Sequence, residues 1–242
     1  DENPIVVISE LWGQKFMGLN GGPKFKINPS ISFTVSCNSL EETNRIWDLL
    51  VADGNPLMPV DKYPWSERYG WLADKFGVNW QISIGENSQI TPSMLFTNAQ
   101  LGNAESAIDT YLKIFPNSGK DLVVHYPTDS EYAGKIMYSE FKLNNFRFIA
   151  MDGPGDHDYN FNEAVSIVVE CETQDEIDHY WENLSAGGRE DMCGWLKDKF
   201  GVSWQIVPSI LGELMRDPER GQRVMNAFLK MRKFEIEKLL NA

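Results

Sequence analysis

Trp71-Leu-Ala-Asp-Lys-Phe-Gly-Val-Asn-Trp-Gln-Ile82 returns later in the chain as Trp195-Leu-Lys-Asp-Lys-Phe-Gly-Val-Ser-Trp-Gln-Ile206, identical at ten of twelve positions. A match that dense marks a duplicated structural unit, and a repeat is read first because it fixes the architecture. Upstream, Ile31-Ser-Phe-Thr-Val-Ser-Cys37 corresponds to Val165-Ser-Ile-Val-Val-Glu-Cys171, and Trp47 to Trp181, at an offset of 171 − 37 = 134. At the signature itself the offset is 195 − 71 = 124, so the first copy carries ten extra residues. They fall within Asp53–Arg68, whose three prolines and clustered aromatics read as a surface loop.

Each copy opens with an alternating, β-branched strand. An acidic helix start follows, Ser39-Leu-Glu-Glu42 or Thr173-Gln-Asp-Glu176, in which the hydroxyl caps free N–H groups and the acids suit the helix dipole. The expected apolar stripe is Ile46, Leu49 and Leu50 in one helix and Ile177, Tyr180, Trp181 and Leu184 in the other. After a turn at Asp53-Gly54 or Gly187-Gly188 come short strands ending in Trp-Gln-Ile, so the order is β-α-β-β-β.

A more divergent module lies between the copies: a strand over 90–96, a helix from Asn103 to Phe115, and strands over 121–126, 135–141 and 146–151. Residues 5–20 match only the last two strands of that module, Lys15-Phe-Met-Gly-Leu-Asn-Gly21 paralleling Arg147-Phe-Ile-Ala-Met-Asp-Gly153. The fold class is therefore α+β, with tandem β-α-β-β-β modules forming two half-open barrel-like domains and a C-terminal helical tail from Ile210 to Leu240. Residues 1–86 form the first domain, lacking its first β-α-β, and residues 87–242 a complete second one. Gly85-Glu-Asn-Ser-Gln89 is the expected linker.

The bulk numbers bound the function. A net charge of −13 and a pI near 4.7 exclude a nucleic-acid role, since little here would neutralise phosphates. No apolar run reaches the length of a membrane span. Three cysteines form no disulfide framework, and buried thiols in a reducing, cytoplasmic setting are expected.

Several stretches together resemble the PhnB-like, or demethylubiquinone methyltransferase-like, family of the glyoxalase/bleomycin-resistance/dioxygenase superfamily. They are Cys193 through Pro208, Phe115-Pro-Asn-Ser118, Ala164 through Cys171, and Gln222 through Met231. The resemblance implies paired modules around a ligand cavity, where superfamily enzymes hold a divalent metal through His, Glu or Gln on the first and last strands of each module. Here those strands offer Ser93 with Phe148, Ala150 or Asp152, and Ser166, Val168 or Glu170 with Gln205. No His–Glu pair is among them, which is a poor donor set for such a metal. Nor does the methyltransferase label find a strand, Gly-rich turn and helix start: Leu19-Asn-Gly-Gly22 and Asp152-Gly-Pro-Gly155 both lead toward another strand.

Among single residues, Glu140 and His125 are the candidates for proton transfer, Glu140 because a carboxylate facing a cavity makes a general base and His125 as the best-placed imidazole. Against this, a lone strand histidine is more often structural, and His157 and His179 read as solvated. Trp204, Gln205, Phe148, Ser93 and Ser166 are the candidate ligand-binding residues. Strand alternation forbids a neighbouring Trp and Gln from lining one cavity together, and the bland reading buries each Trp and turns each Gln to solvent. Cys193 is read as packing. The expected function is small-molecule binding in a barrel cavity with no metal and no other cofactor. The alternative is a metal-dependent lyase, isomerase or dioxygenase. A third reading has an exposed edge of the first domain driving homodimerisation.

Overall fold

The computed structural model describes residues 6–242, so Ile5 and the start of the first expected domain lie outside the described residues. The elements in chain order are β1 (Val6–Leu11), β2 (Gln14–Leu19), β3 (Ile31–Cys37), α1 (Leu40–Val51), β4 (Asn55–Tyr63), β5 (Ser66–Ala73) and β6 (Asn79–Ile84). Then come β7 (Gln89–Phe96), α2 (Ala104–Ile114), β8 (Gly119–His125), β9 (Ile136–Leu143) and β10 (Phe146–Asp152). The chain ends with β11 (Ile167–Cys171), α3 (Gln174–Ser185), β12 (Arg189–Glu190), β13 (Trp195–Lys197), β14 (Ser203–Pro208), α4 (Leu211–Arg216), α5 (Gly221–Phe228) and α6 (Ile236–Leu240). The fold is α+β, and the β-α-β-β-β module occurs three times.

Two compact units divide the chain at Asn160/Phe161. The first unit holds the β1–β2 hairpin and an eight-stranded sheet in the order β4-β5-β6-β3-β7-β10-β9-β8. Two modules, 31–84 and 89–152, meet in that sheet because their first strands, β3 and β7, pair antiparallel. Gly85–Gln89 therefore joins two strands of one sheet, and the expected boundary at 86/87 falls inside the first unit. The second unit holds the four-stranded sheet β11-β14-β13-β12 and the helical tail.

The repeated signature is a turn built by one aspartate. Asp74 Oδ1 accepts from the N–H groups of Phe76 and Val78, and its Oδ2 accepts from Trp80 Nε1 at 3.0 Å. Asp198 does the same for Phe200, Val202 and Trp204. Gly77 and Gly201 supply the positive φ, 85° and 91°, that closes each turn without a Cβ penalty. Asp, Gly and Trp at fixed spacing are thus one hydrogen-bonded unit.

Both helix caps form as the sequence dictates: Ser39 Oγ accepts from Glu42 N, and Thr173 makes a reciprocal capping box with Glu176. The α1 stripe differs from expectation. Leu49 is 66% exposed and Trp47 fills the core instead, over Gly70, where any Cβ would collide with its ring.

The ten extra residues do not form a loop. They lengthen a hairpin, β4 and β5, joined through Pro64 and Trp65. Pro56 and Pro59 fit there because β4 is an edge strand and needs fewer ladder N–H donors.

Candidate functional site

In a β-sheet, residues opposite one another across a pair share a face, and the register sorts every side chain of the first unit. One face carries Val35, Cys37, Leu72, Trp80 and Ile82, packed with Trp47 of α1 into a core. The opposite, helix-free face carries Ser32 and Thr34 of β3, Gln81 and Asn79 of β6, Tyr69 and Trp71 of β5, Thr91 and Ser93 of β7, Ile149 of β10 and Glu140 of β9. These include the places on the first and last module strands where the superfamily resemblance looks for metal ligands.

That helix-free face curls in on itself. β5 and β9 stand second and seventh in the sheet, which on a flat sheet would separate them by about 24 Å at the usual strand spacing. Yet Tyr69 is close enough to Tyr138 of β9 to act on it electrostatically. The Tyr138 hydroxyl is pushed well above the ordinary phenol range, first by burial, then by its hydrogen bond to Glu140 and by the charges of Glu140 and Tyr69. Tyr69 is likewise raised, by burial and by Tyr63. Both phenols therefore stay neutral and act as hydrogen-bonding groups.

The polar residues of this face are bonded in sequence. Tyr69 OH donates to Gln81 Oε1 at 2.8 Å, and Gln81 Nε2 donates to Ser32 Oγ at 2.8 Å. Across the β3–β7 seam the hydroxyls of Thr34 and Ser93 lie 2.7 Å apart. Tyr138 OH donates to Glu140 Oε1 at 2.8 Å, and Arg147 stands 3.9 Å from the other Glu140 oxygen. Ser32, Gln81, Thr91 and Ser93 are all buried. Two buried groups have no hydrogen-bond partner among the described residues: the donor Trp71 Nε1 and the acceptor Asn79 Oδ1. Register places them as diagonal neighbours on this same face. Beside them the lengthened hairpin stacks Tyr63 on Trp65 at 5.1 Å, with Tyr69 edge-on to both.

The sequence-derived candidates are distributed as follows. Glu140 and Ser93 belong to this face. Phe148 does not: it is buried on the helix side, stacked on Phe141 at 5.6 Å, so it is a core residue. His125 is exposed at the end of β8, with Nε2 3.6 Å from Glu105, and neighbours none of the groups above. Trp204 is fully buried and engaged by Asp198. Gln205 and Ser166 do meet, Gln205 Nε2 donating to Ser166 Oγ at 2.7 Å, and repeat the Gln81–Ser32 bond in the second unit. Gln81 is buried rather than solvent-facing. Tyr69 and Tyr138 escaped the sequence reading because nothing local announces that strands 2 and 7 of a sheet approach each other.

Other polar clusters are structural. Asp152, raised by burial despite its bonds, receives the N–H groups of Gly102 and Ile136 at 2.6 and 2.8 Å and faces the helix side. Cys193 N and Gly194 N donate to Met231 O and Arg232 O, so this turn anchors the tail. A cleft of about 460 Å³ in the tail is lined by Lys230, Arg232, Lys233 and Lys238. Lys233 and Lys238 already pair with Asp178 and Glu235.

No three His, Cys, Asp or Glu side chains gather as a metal site among the described residues. The hydroxyls and amide at the superfamily's ligand positions are hydrogen-bonded to each other, which does not fit a resident divalent metal. Among the described residues no helix is long and apolar enough to cross a membrane.

The family profile described as 3-demethylubiquinone-9 3-methyltransferase matches residues 2–83 and 88–207. Among solved structures, a putative 3-demethylubiquinone-9 3-methyltransferase, PhnB protein, from Bacillus cereus is 30% identical. It covers 48% of this chain and 98% of its own, with a TM-score of 0.45. A protein from Pseudomonas aeruginosa is 20% identical over 48% of this chain and 93% of its own, with a TM-score of 0.42. Glyoxalase I from Zea mays is 11% identical over 80% of this chain and 73% of its own, with a TM-score of 0.51, a likeness of fold. No curated protein matches. The chain belongs to the PhnB-like, 3-demethylubiquinone-9 3-methyltransferase family.

Proposed function

We propose that the first unit binds a small molecule on the helix-free face of its eight-stranded sheet, without a metal. The observation that carries this is the unsatisfied pair, Trp71 Nε1 and Asn79 Oδ1, on a face where Tyr69, Gln81 and Ser32, and Thr34 and Ser93, bond one another. A buried donor and a buried acceptor left open cost about 1–3 kcal/mol each, and a ligand hydroxyl or amide answers both. Trp65, 63% exposed above Tyr63 and Tyr69, adds an apolar surface for a ring or chain. Methyl transfer is not proposed, because no glycine-rich turn in the described residues links a strand to a helix start.

The test combines metal analysis with ligand screening by tryptophan fluorescence on the full chain. The expected outcome is substoichiometric metal, an unfolding temperature indifferent to EDTA, and a saturable fluorescence response that Trp71→Phe and Asn79→Ala each weaken about tenfold. Stoichiometric zinc, iron, nickel or manganese would instead favour a metal-dependent lyase, isomerase or dioxygenase. Glu140, a carboxylate on that same face, gives that second reading its footing.

A further inference from the structure

Charge is unevenly distributed along this acidic chain. Residues 210–242 carry seven Lys and Arg against five Asp and Glu, in a protein whose net charge is −13. Four of those cations, Lys230, Arg232, Lys233 and Lys238, line the cleft of about 460 Å³ where α5 gives way to α6. Ala227 and Met231 add apolar wall, and Glu235 is the carboxylate among the lining residues.

The backbone around this cleft is tied to the rest of the second unit at four points. Cys193 N and Gly194 N donate to Met231 O and Arg232 O at 2.7 and 2.8 Å. Gln174 of α3 donates through Nε2 to Phe234 O at 3.0 Å and accepts at Oε1 from Ile236 N at 2.9 Å. Phe234 itself is buried, and a Cβ on Gly194 would strike its ring. Side chains on so fixed a frame lose less freedom when they close on a ligand.

The four cations divide into two kinds. Lys233 meets Asp178 at 2.7 Å and Lys238 meets Glu235 at 2.6 Å, so these two are neutralised. Lys230 and Arg232 have no carboxylate partner among the described residues, and Arg232 Nη1 reaches no closer acceptor than Glu190 O at 3.4 Å. Two cations turned to one cleft without a counter-charge favour an anion. A guanidinium fork matches phosphate oxygens in pairs, and an ammonium adds a point charge beside it. The acidity of the rest of the chain does not forbid this, because exposed charges beyond about 8 Å are screened at physiological salt. It does disfavour a long polyanion, which would run from the cleft onto α3 with its Asp175, Glu176, Asp178 and Glu182.

We propose that this cleft binds a small phosphate ester, Arg232 gripping the phosphate, Lys230 supplying the second charge, and Met231 and Ala227 packing on the organic part. The site lies wholly in the second unit and stands apart from the ligand reading of the first.

Isothermal titration calorimetry on the full chain tests it, with phenyl phosphate, inorganic phosphate and benzoate as probes. The expected result is saturable binding of phenyl phosphate, weaker binding of inorganic phosphate and none of benzoate. Lys230→Gln and Arg232→Gln, both at exposed positions, should each weaken phenyl phosphate about tenfold with an unchanged circular dichroism spectrum. Lys120→Gln, in the first unit, should leave binding as in wild type. Absence of saturable heat up to about 10 mM phenyl phosphate overturns the proposal. So does binding that survives the Lys230→Gln/Arg232→Gln double variant, which would place the anion elsewhere on the surface. Inorganic phosphate bound as tightly as phenyl phosphate would overturn the assignment of an ester.

Discussion

Trp204 Nε1 donates to Asp198 Oδ2 at 2.9 Å, and Trp80 makes the same bond to Asp74 at 3.0 Å. Each aspartate also receives two turn N–H groups, so its loss leaves three donors open. Asp198 is 5% exposed while Asp74 is half-buried. Asp198→Ala should therefore cost about 2–4 kcal/mol and Asp74→Ala about 1–2 kcal/mol. Urea denaturation of the two variants measures the difference; equal losses would contradict the role assigned to burial.

Tyr69→Phe removes the hydroxyl that donates to Gln81 Oε1 and leaves that oxygen buried and unpaired. The expected loss is about 1–2 kcal/mol. Gln81→Leu removes both partners' shared member and frees Ser32 as well, with a comparable cost. The double variant should cost less than the sum of the two, because the bond can be lost only once. Strict additivity in a double-mutant cycle would show the two side chains to be independent.

Glu163 shows how the second unit responds to acid. Burial raises its pKa, but Lys197 at 3.0 Å and Arg189 at 2.7 Å outweigh that and hold it below the ordinary carboxylate value of 4.5. A depressed folded pKa means that the group's stabilisation is complete above 4.5 and lost as pH falls through the lower folded value. Glu163→Gln should accordingly lower stability at pH 7 and flatten the acid limb below about pH 4.5, set by the linkage relation. Thermal melts from pH 3 to 7 read this directly, and an acid limb as steep as wild type would refute it.

The cysteines should be slow to react. Burial pushes Cys171 up to about 12, aided by the charge of Glu176, and Cys37 and Cys193 are also raised chiefly by burial. At pH 8 the native chain should modify with a thiol reagent at least about a hundredfold more slowly than the unfolded chain, since thiolate is the reactive form. Rapid labelling of any one of them in native protein would mean that its turn or strand opens locally.

How much of this was readable in the sequence follows from the range of the interactions involved. The caps at Ser39 and Thr173, the Trp-anchored turns and the break at Asp217-Pro218 are set within a few residues, and they stand where periodicity and composition put them. The alternation that separates Trp80 from Gln81 and Trp204 from Gln205 was equally legible. What strand periodicity cannot reveal is which edges meet. The repeat suggested modules paired in chain order from each end, whereas 31–84 pairs with 89–152. For the same reason Phe148 could be assigned to a strand but not to a side of the sheet. Glu140 could be named as a candidate, while its companions Tyr138 and Tyr69, one of them far away in sequence, could not. The Asp53–Arg68 stretch misled through its prolines, which signal a loop in a central strand but are compatible with an edge.

The seam between β3 and β7 has a consequence for how such a face can change over time. Where two identical chains meet on an axis, any substitution is made twice, and both halves of the face shift together. Here Ser32 and Ser93 face each other from one chain, encoded separately. Each can be replaced without touching the other. The first unit is free to become lopsided, with Gln81 in one half where the other carries Ile149.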